Sequence, residues 1–213
     1  MRYFEEKKKA IMGEIDYGLP KNYRPVEYLE AGSQKQWFDT GIKGSYNLRV
    51  EGEWWVDVST IEDEYVIFFQ GENAIVRYSF GLLRLNDGRW EFTSDSARNR
   101  FSEPSDSQCH FTIDMTPKNC MINGVTRSTH DPDNFKSNRD IFIFGTSSST
   151  RIRANKGDTG KKRIYWMKIW DGQTLVRDFQ PCLDASSTPC LYDRISKQTF
   201  YNKGSLNLDY KLL

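Results

Sequence analysis

Apolar and polar residues alternate with a period of two through much of this chain, the mark of strands that bury one face. Residues 48–58 show it best. Leu48, Val50, Trp54, Val56 and Val58 fall on one face, and Arg49, Glu51, Glu53, Trp55 and Asp57 on the other. Residues 65–69 are continuously apolar, as in a central strand covered on both sides. Residues 74–85 read as one long strand or two short ones, Asn86-Asp87-Gly88 as a turn, and residues 89–93 as the returning strand. Residues 94–108 are Ser-rich and polar and read as a surface loop. Residues 110–114 alternate again. Cys120-Met121-Ile122 then meets Asn123-Gly124, a strong hairpin signal, and Val125-Thr126 continues it. Residues 141–144 read as a buried strand and residues 145–162 as a second long loop, rich in Gly, Ser and Lys. Residues 164–170, 175–179, 191–192 and 199–201 complete the series. No helical period stands out after residue 30. Roughly ten or more short strands, with turns every 8–12 residues or so, predict a sandwich or barrel.

Parity also sorts the aromatic residues. Trp54 and Trp90 fall on core faces. In 164–170, Tyr165, Met167 and Ile169 are expected inward, and Trp166, Lys168 and Trp170 outward. Trp55, Trp166 and Trp170 are therefore the candidates for a carbohydrate platform, with a subunit interface and ordinary packing as the competing readings. Residues 1–18 stand apart. Residues 2–15 have a weak helical pattern with Phe4, Ile11 and Ile15 partly on one face, broken by Gly13 and Gly18. The segment is too short to be stable alone. It reads as an arm that orders against a partner, through Tyr3, Phe4, Ile11 and Ile15, or as a frayed terminus. Residues 19–213 read as one domain.

Composition narrows the picture. The chain has 213 residues, enough for a core without disulfide staples. Aromatic residues make up 14%, which favours strands. Thirty basic residues balance 29 acidic ones, so charge points neither to nucleic acid nor to an anionic membrane. No apolar stretch reaches the ~20 residues of a membrane span, and Ala10-Ile11-Met12 is too short for a secretory core. Synthesis and folding in a cytoplasm are expected, with reduced thiols. The four cysteines read as free buried thiols. The pairs Cys109/Cys120 and Cys182/Cys190 each flank a turn, so each is a candidate to meet across a hairpin. Neither spacing suits zinc, the two histidines are isolated, and no cofactor is expected.

The search for catalysis is thin. A glycoside hydrolase on such a sheet needs paired carboxylates on one face. Glu51 and Glu53 share a face but lack a third carboxylate at the right step, and Arg49 stands beside them. Glu62-Asp63-Glu64 reads as a solvated acidic turn. His110 and His130 have no nucleophile elbow near them. Asp131, Asp133 and Asn134 form a candidate calcium loop that reads more simply as a turn. No catalytic or metal residue is assigned.

Two stretches carry a family resemblance. The first is Leu19-Pro20, Tyr23, Val26-Glu27-Tyr28-Leu29-Glu30, Gly32, Gln34 and Asp39-Thr40-Gly41-Ile42. The second is Ile164-Tyr165-Trp166-Met167-Lys168-Ile169-Trp170-Asp171-Gly172, Leu175-Val176-Arg177-Asp178-Phe179, Pro181-Cys182-Leu183-Asp184, Pro189-Cys190-Leu191-Tyr192-Asp193 and Phe200-Tyr201-Asn202. Together they resemble phage and prophage virion proteins built on a concanavalin A-like, laminin-G-like jelly roll. The resemblance covers 19–213, strongly at both ends and weakly between. It implies an all-β antiparallel sandwich and a virion component: a fibre, tail or capsid-decorating module. Residues 1–18 occupy the place of an attachment segment to other virion proteins. Such modules are commonly homotrimers, and contact with host-surface glycans is expected. A purely structural cement protein and a glycan-cleaving enzyme on the same fold are the alternatives.

Overall fold

The computed structural model describes residues 16–33, 35–60, 65–72, 79–95, 97–102, 108–147, 152–153 and 160–213. Their strands are β1 (Arg24–Ala31), β2 (Phe38–Ser45), β3 (Leu48–Asp57), β4 (Tyr65–Glu72), β5 (Ser79–Leu85), β6 (Arg89–Asp95), β7 (Ala97–Ser102), β8 (Gln108–Thr116) and β9 (Asn119–Ile122). They continue as β10 (Val125–Thr129), β11 (Lys136–Ile143), β12 (Thr146–Ser147), β13 (Ile152–Arg153), β14 (Lys161–Asp171), β15 (Thr174–Leu183), β16 (Pro189–Asp193), β17 (Gln198–Tyr201) and β18 (Asp209–Leu212). The helical content of the described residues is one 3-10 turn at Val58–Thr60.

Two sheets face one another. The larger has the order β10-β9-β8-β3-β14-β1-β15-β16-β17, with β18 added to β1. The smaller runs β4-β5-β6-β7, with β11 joining β4 to β2 and the short β12 and β13 at its side. Among the described pairings only β12 with β4 is parallel. This is the expected all-β antiparallel sandwich of the lectin-like jelly-roll type.

The alternation that predicted β3 works as read. Leu48, Val50, Trp54 and Val56 point into the sandwich and are buried. Trp54 packs on Phe68, Phe69 and Phe144 at centroid distances of 5.9, 6.2 and 5.9 Å. Phe68 stacks on Trp90 at 5.5 Å, and Phe111 sets its edge against both. Residues from both sheets thus join in one aromatic core. Burying each such ring contributes roughly 1.5–3 kcal/mol, which explains the high aromatic content. The Asn123-Gly124 turn also forms as expected. Both residues have positive φ, 52° and 75°, as a two-residue hairpin between β9 and β10 requires.

Four expectations need correction. Residues 94–108 are not all loop, since residues 97–102 are β7. Arg98 and Arg100 stand opposite Thr93 and Glu91. Arg100 donates to the buried Glu91 carboxylate at 2.8 Å. The β6 ladder holds this strand, with Phe101 against the core and the arginines on Glu91, so no apolar alternation marked it. Residues 145–162 likewise carry β12 and β13, and β14 begins at Lys161. Cys109 and Cys120 are not neighbours, because the β8–β9 register sets Cys120 against Met115 and Cys109 lies near the far end of β8 against Val56.

Tyr165 is the fourth. The β3–β14 register shifts between Ile164 and Trp166, a bulge that adds one residue to β14. Ile164 and Met167 therefore both point inward, while Tyr165 joins Trp166 on the outer side. Tyr3, Phe4, Ile11 and Ile15, proposed for the attachment arm, lie outside the described residues, as do residues 62–64 and 73–78.

Candidate functional site

The three tryptophans singled out by parity lie on the outer face of the larger sheet, Trp55 on β3 and Trp166 and Trp170 on β14. None is open. Each is partly buried and has a cation over its ring. The Arg163 guanidinium lies 3.9 Å from the Trp55 ring centre and 4.3 Å from that of Tyr28. Its Nε donates to Glu30 at 2.6 Å. Burial works against the Arg163 charge, and the hydrogen bond and attraction from Glu30 outweigh it, holding the guanidinium above its ordinary pKa. Lys168 stands 5.8 Å over Trp166, and Arg49 stands 5.1 Å over Trp170 while gripping Asp114 through two hydrogen bonds of 2.9 Å. Arg49 also contacts Glu51, as its place on β3 suggested.

At the centre of this face is Glu53. It is buried, with its Oε1 2.7 Å from His110 Nε2 and its Oε2 accepting from Trp166 Nε1 at 2.9 Å. His110 stacks on Tyr165 at 4.6 Å, and Tyr165 sets its edge on Tyr28 at 5.7 Å. Burial pushes the Tyr165 hydroxyl up to about 12. The face is thus a packed lattice of rings and charges centred on Glu53. Cation–π contacts of this kind contribute about 0.5–1 kcal/mol each when exposed. A sugar stacking on Trp55 would have to displace Arg163 or approach from another side.

A different place has open volume lined by solvent-facing polar side chains. A pocket of about 400 Å³ opens where the β2–β3 turn, the loop before β11 and the β14–β15 hairpin meet. That size suits a small ligand. Tyr46 and Asn47 form the turn, and the Tyr46 N–H donates to the Phe135 carbonyl at 3.0 Å, tying it to the loop. The Gly172 N–H donates to the Asn47 carbonyl at 3.0 Å, tying it to the hairpin. Gly172 has φ of 59°, so the tight turn after Asp171 needs a residue tolerant of the left-handed region. Ile42, Tyr46, Phe135 and Val176 give the pocket apolar wall. Lys43, Ser45, Asn47, Asn134, Lys136 and Asp171 give it donors and acceptors. Among the described residues, none of these six side chains makes a hydrogen bond or ion pair within the protein. Lys118 stands beside the site with its ammonium 5.3 Å over the Tyr46 ring; a hydrogen bond with Tyr46 raises its pKa.

The sequence did not single out this pocket. Asn134, in the candidate calcium loop, lines the pocket, while Asp131 lies 3.8 Å from Lys118. Among the described residues no cluster of three or more His, Cys, Asp or Glu could hold a metal ion. Trp170 is the one candidate tryptophan that adjoins the pocket, through its chain neighbour Asp171.

No family model matches the sequence, and no curated protein matches it. A solved structure does. It is that of a Bacteroides ovatus protein proposed to bind carbohydrate, with a TM-score of 0.57 and 15% identity. The match covers 89% of this chain and 60% of that one, so the chain spans about three fifths of its neighbour's length. At this identity the likeness shows the fold, a jelly-roll sandwich.

The second cysteine pair does meet. Cys182 and Cys190 stand directly opposite on β15 and β16, both buried, with their sulfurs 3.5 Å apart. Hydrogen bonding with Cys182, together with burial, pushes the Cys190 thiol well above its ordinary pKa. Leu19, Tyr23 and Tyr192 pack over the two thiols.

Proposed function

We propose that this chain is a non-enzymatic carbohydrate-binding module and that the pocket bounded by Tyr46, Asn134 and Asp171 is its sugar site. The observation that carries the reading is the gathering of six disengaged polar side chains around one apolar-walled cavity of about 400 Å³. Sugars present an apolar ring face together with a dense rim of hydroxyls. Amides, a hydroxyl, ammoniums and a carboxylate beside an aromatic ring meet both needs. The Bacteroides ovatus neighbour, itself proposed to bind carbohydrate, supports the same reading. The carboxylates of the described outer face also favour binding over cleavage. Glu53, Glu51 and Glu30 are all engaged by His, Trp or Arg partners.

The end motifs, similar to those of phage virion proteins, support a setting for this activity. We propose a virion module, attached through residues 1–18 to other virion proteins, displayed as a homotrimer, and presenting the pocket to host-surface glycans. A glycan array probed with the full chain tests the binding claim. Hits whose affinity falls at least ten-fold in Asn47→Ala and Asn134→Ala support the pocket. Hits untouched by those variants, or no hits, overturn it.

A further inference from the structure

The charges around the pocket are sorted by wall. Lys43 on β2 and Lys136 at the start of β11 line the side formed by those two paired strands, where Lys136 stands opposite Ser45. Asp171 lines the side formed by the β14–β15 hairpin. Neither lysine has an ion-pair partner among the described residues. The carboxylate nearest Lys43 by register is Asp140. Burial first, and then the nearby Asp39, raise its pKa, while the charge of Lys43 itself lowers it. A third ammonium, that of Lys118, stands at the rim over Tyr46, shared with the fully exposed Asp131 at 3.8 Å.

A neutral sugar would offer the Lys43 and Lys136 ammoniums only hydroxyl acceptors. An anionic substituent would engage both, in charge-assisted bonds roughly twice as strong as neutral ones. Asp171 fits the same ligand from the other side. A carboxylate accepts hydrogen bonds and donates none, so it suits the hydroxyl edge of a ring and repels an anion. The pocket is therefore bipolar and can orient a monoanionic sugar in one sense only.

Resting on the sugar-site reading above, we propose that the pocket selects acidic glycans. The anionic group, a ring carboxylate or a sulfate ester, would lie on the Lys43/Lys136 wall and the hydroxyls on Asp171. Lysine is a compact point charge without the planar fork of arginine. The geometry thus assigns the negative charge and leaves carboxylate and sulfate to be separated by the test.

The probes are matched pairs given to the full chain in calorimetric titrations. One pair is a uronic-acid oligosaccharide and its carboxyl-reduced form; the other is a sulfated galactan oligosaccharide and its desulfated form. The expected result is an affinity about ten-fold tighter for the acidic member of at least one pair. The preference should vanish in Lys43→Ala/Lys136→Ala, the affinities of the acidic and neutral members converging. It should also collapse near 1 M salt, where the screening length is about 3 Å. Both lysines are exposed, so the double variant should fold normally by circular dichroism. Equal affinity within both pairs, or a preference that survives the double variant, overturns the inference and leaves the sugar site standing. Failure of every probe, neutral and acidic alike, overturns the sugar site itself.

Discussion

Replacing Glu53 with Ala asks whether the aromatic outer face is held together from within or is held ready for a ligand. Glu53 is buried and is the shared partner of His110 at 2.7 Å and Trp166 at 2.9 Å. Each bond to a charged acceptor contributes about 1.5–3 kcal/mol. The His110 side chain is 38% exposed, so water can replace part of its share, and the lower end applies. A loss of about 2–4 kcal/mol follows. For a chain of this length that lowers Tm by roughly 5–15 °C, at about 2–4 °C per kcal/mol. Glu53→Gln keeps one carbonyl acceptor and should lose about half as much. Thermal and urea unfolding followed by tryptophan fluorescence give both numbers. Sugar affinity per folded molecule should stay within a factor of about two, since Glu53 sits mid-sheet against Thr112 and Trp166 while the pocket lies beyond Leu48 at the end of β3. A stability change under about 0.5 kcal/mol would refute the packed-lattice view. A folded Glu53→Ala protein that no longer binds sugar would move the site to the tryptophan face.

Three other outcomes follow from the same geometry. Gly52→Ala should destabilise by about 2–4 kcal/mol, read by urea unfolding, because a Cβ there would meet Trp54 Nε1 at 2.6 Å and the Trp166 carbonyl at 2.9 Å. With Tyr165 raised in the folded state from 10 to about 12, its contribution is complete below pH 10 and lost as pH rises through 12. Alkaline titration of phenolate absorbance should lose one late tyrosine in Tyr165→Phe, while Tyr201, held up by its hydrogen bond with Asp184, stays late. Cys182 and Cys190 should resist alkylation in the native protein. Alkylation of either at the rate of a free thiol would contradict their burial.

Strand content was legible wherever one face of a strand is apolar. β3 is the clear case, since its inward residues follow the period of two without a break. Parity failed at Tyr165 because a bulge adds a residue that no local pattern announces, and at β7 because Arg98 and Arg100 rest on Glu91 and no apolar alternation marks the strand. Trp55, Trp166 and Trp170 were placed on the correct face, and their covering cations could not be foreseen: Arg163 and Arg49 reach them across neighbouring strands. The pocket was invisible for a different reason. Residues 45–47, 134–136 and 171–172 lie far apart in the sequence, and only the sheet topology brings them together. A single signal was available, the Asn and Lys residues in two of these segments and the Asp-Gly in the third.

The sugar-site claim is tested most directly by amide chemical-shift mapping of the full chain, titrated with the strongest oligosaccharide from the array. Shifts centred on residues 41–48, 134–136 and 171–176, with saturation, are predicted. Shifts centred on Trp55 and Trp166, or no shifts at all, would contradict a carbohydrate site at this pocket.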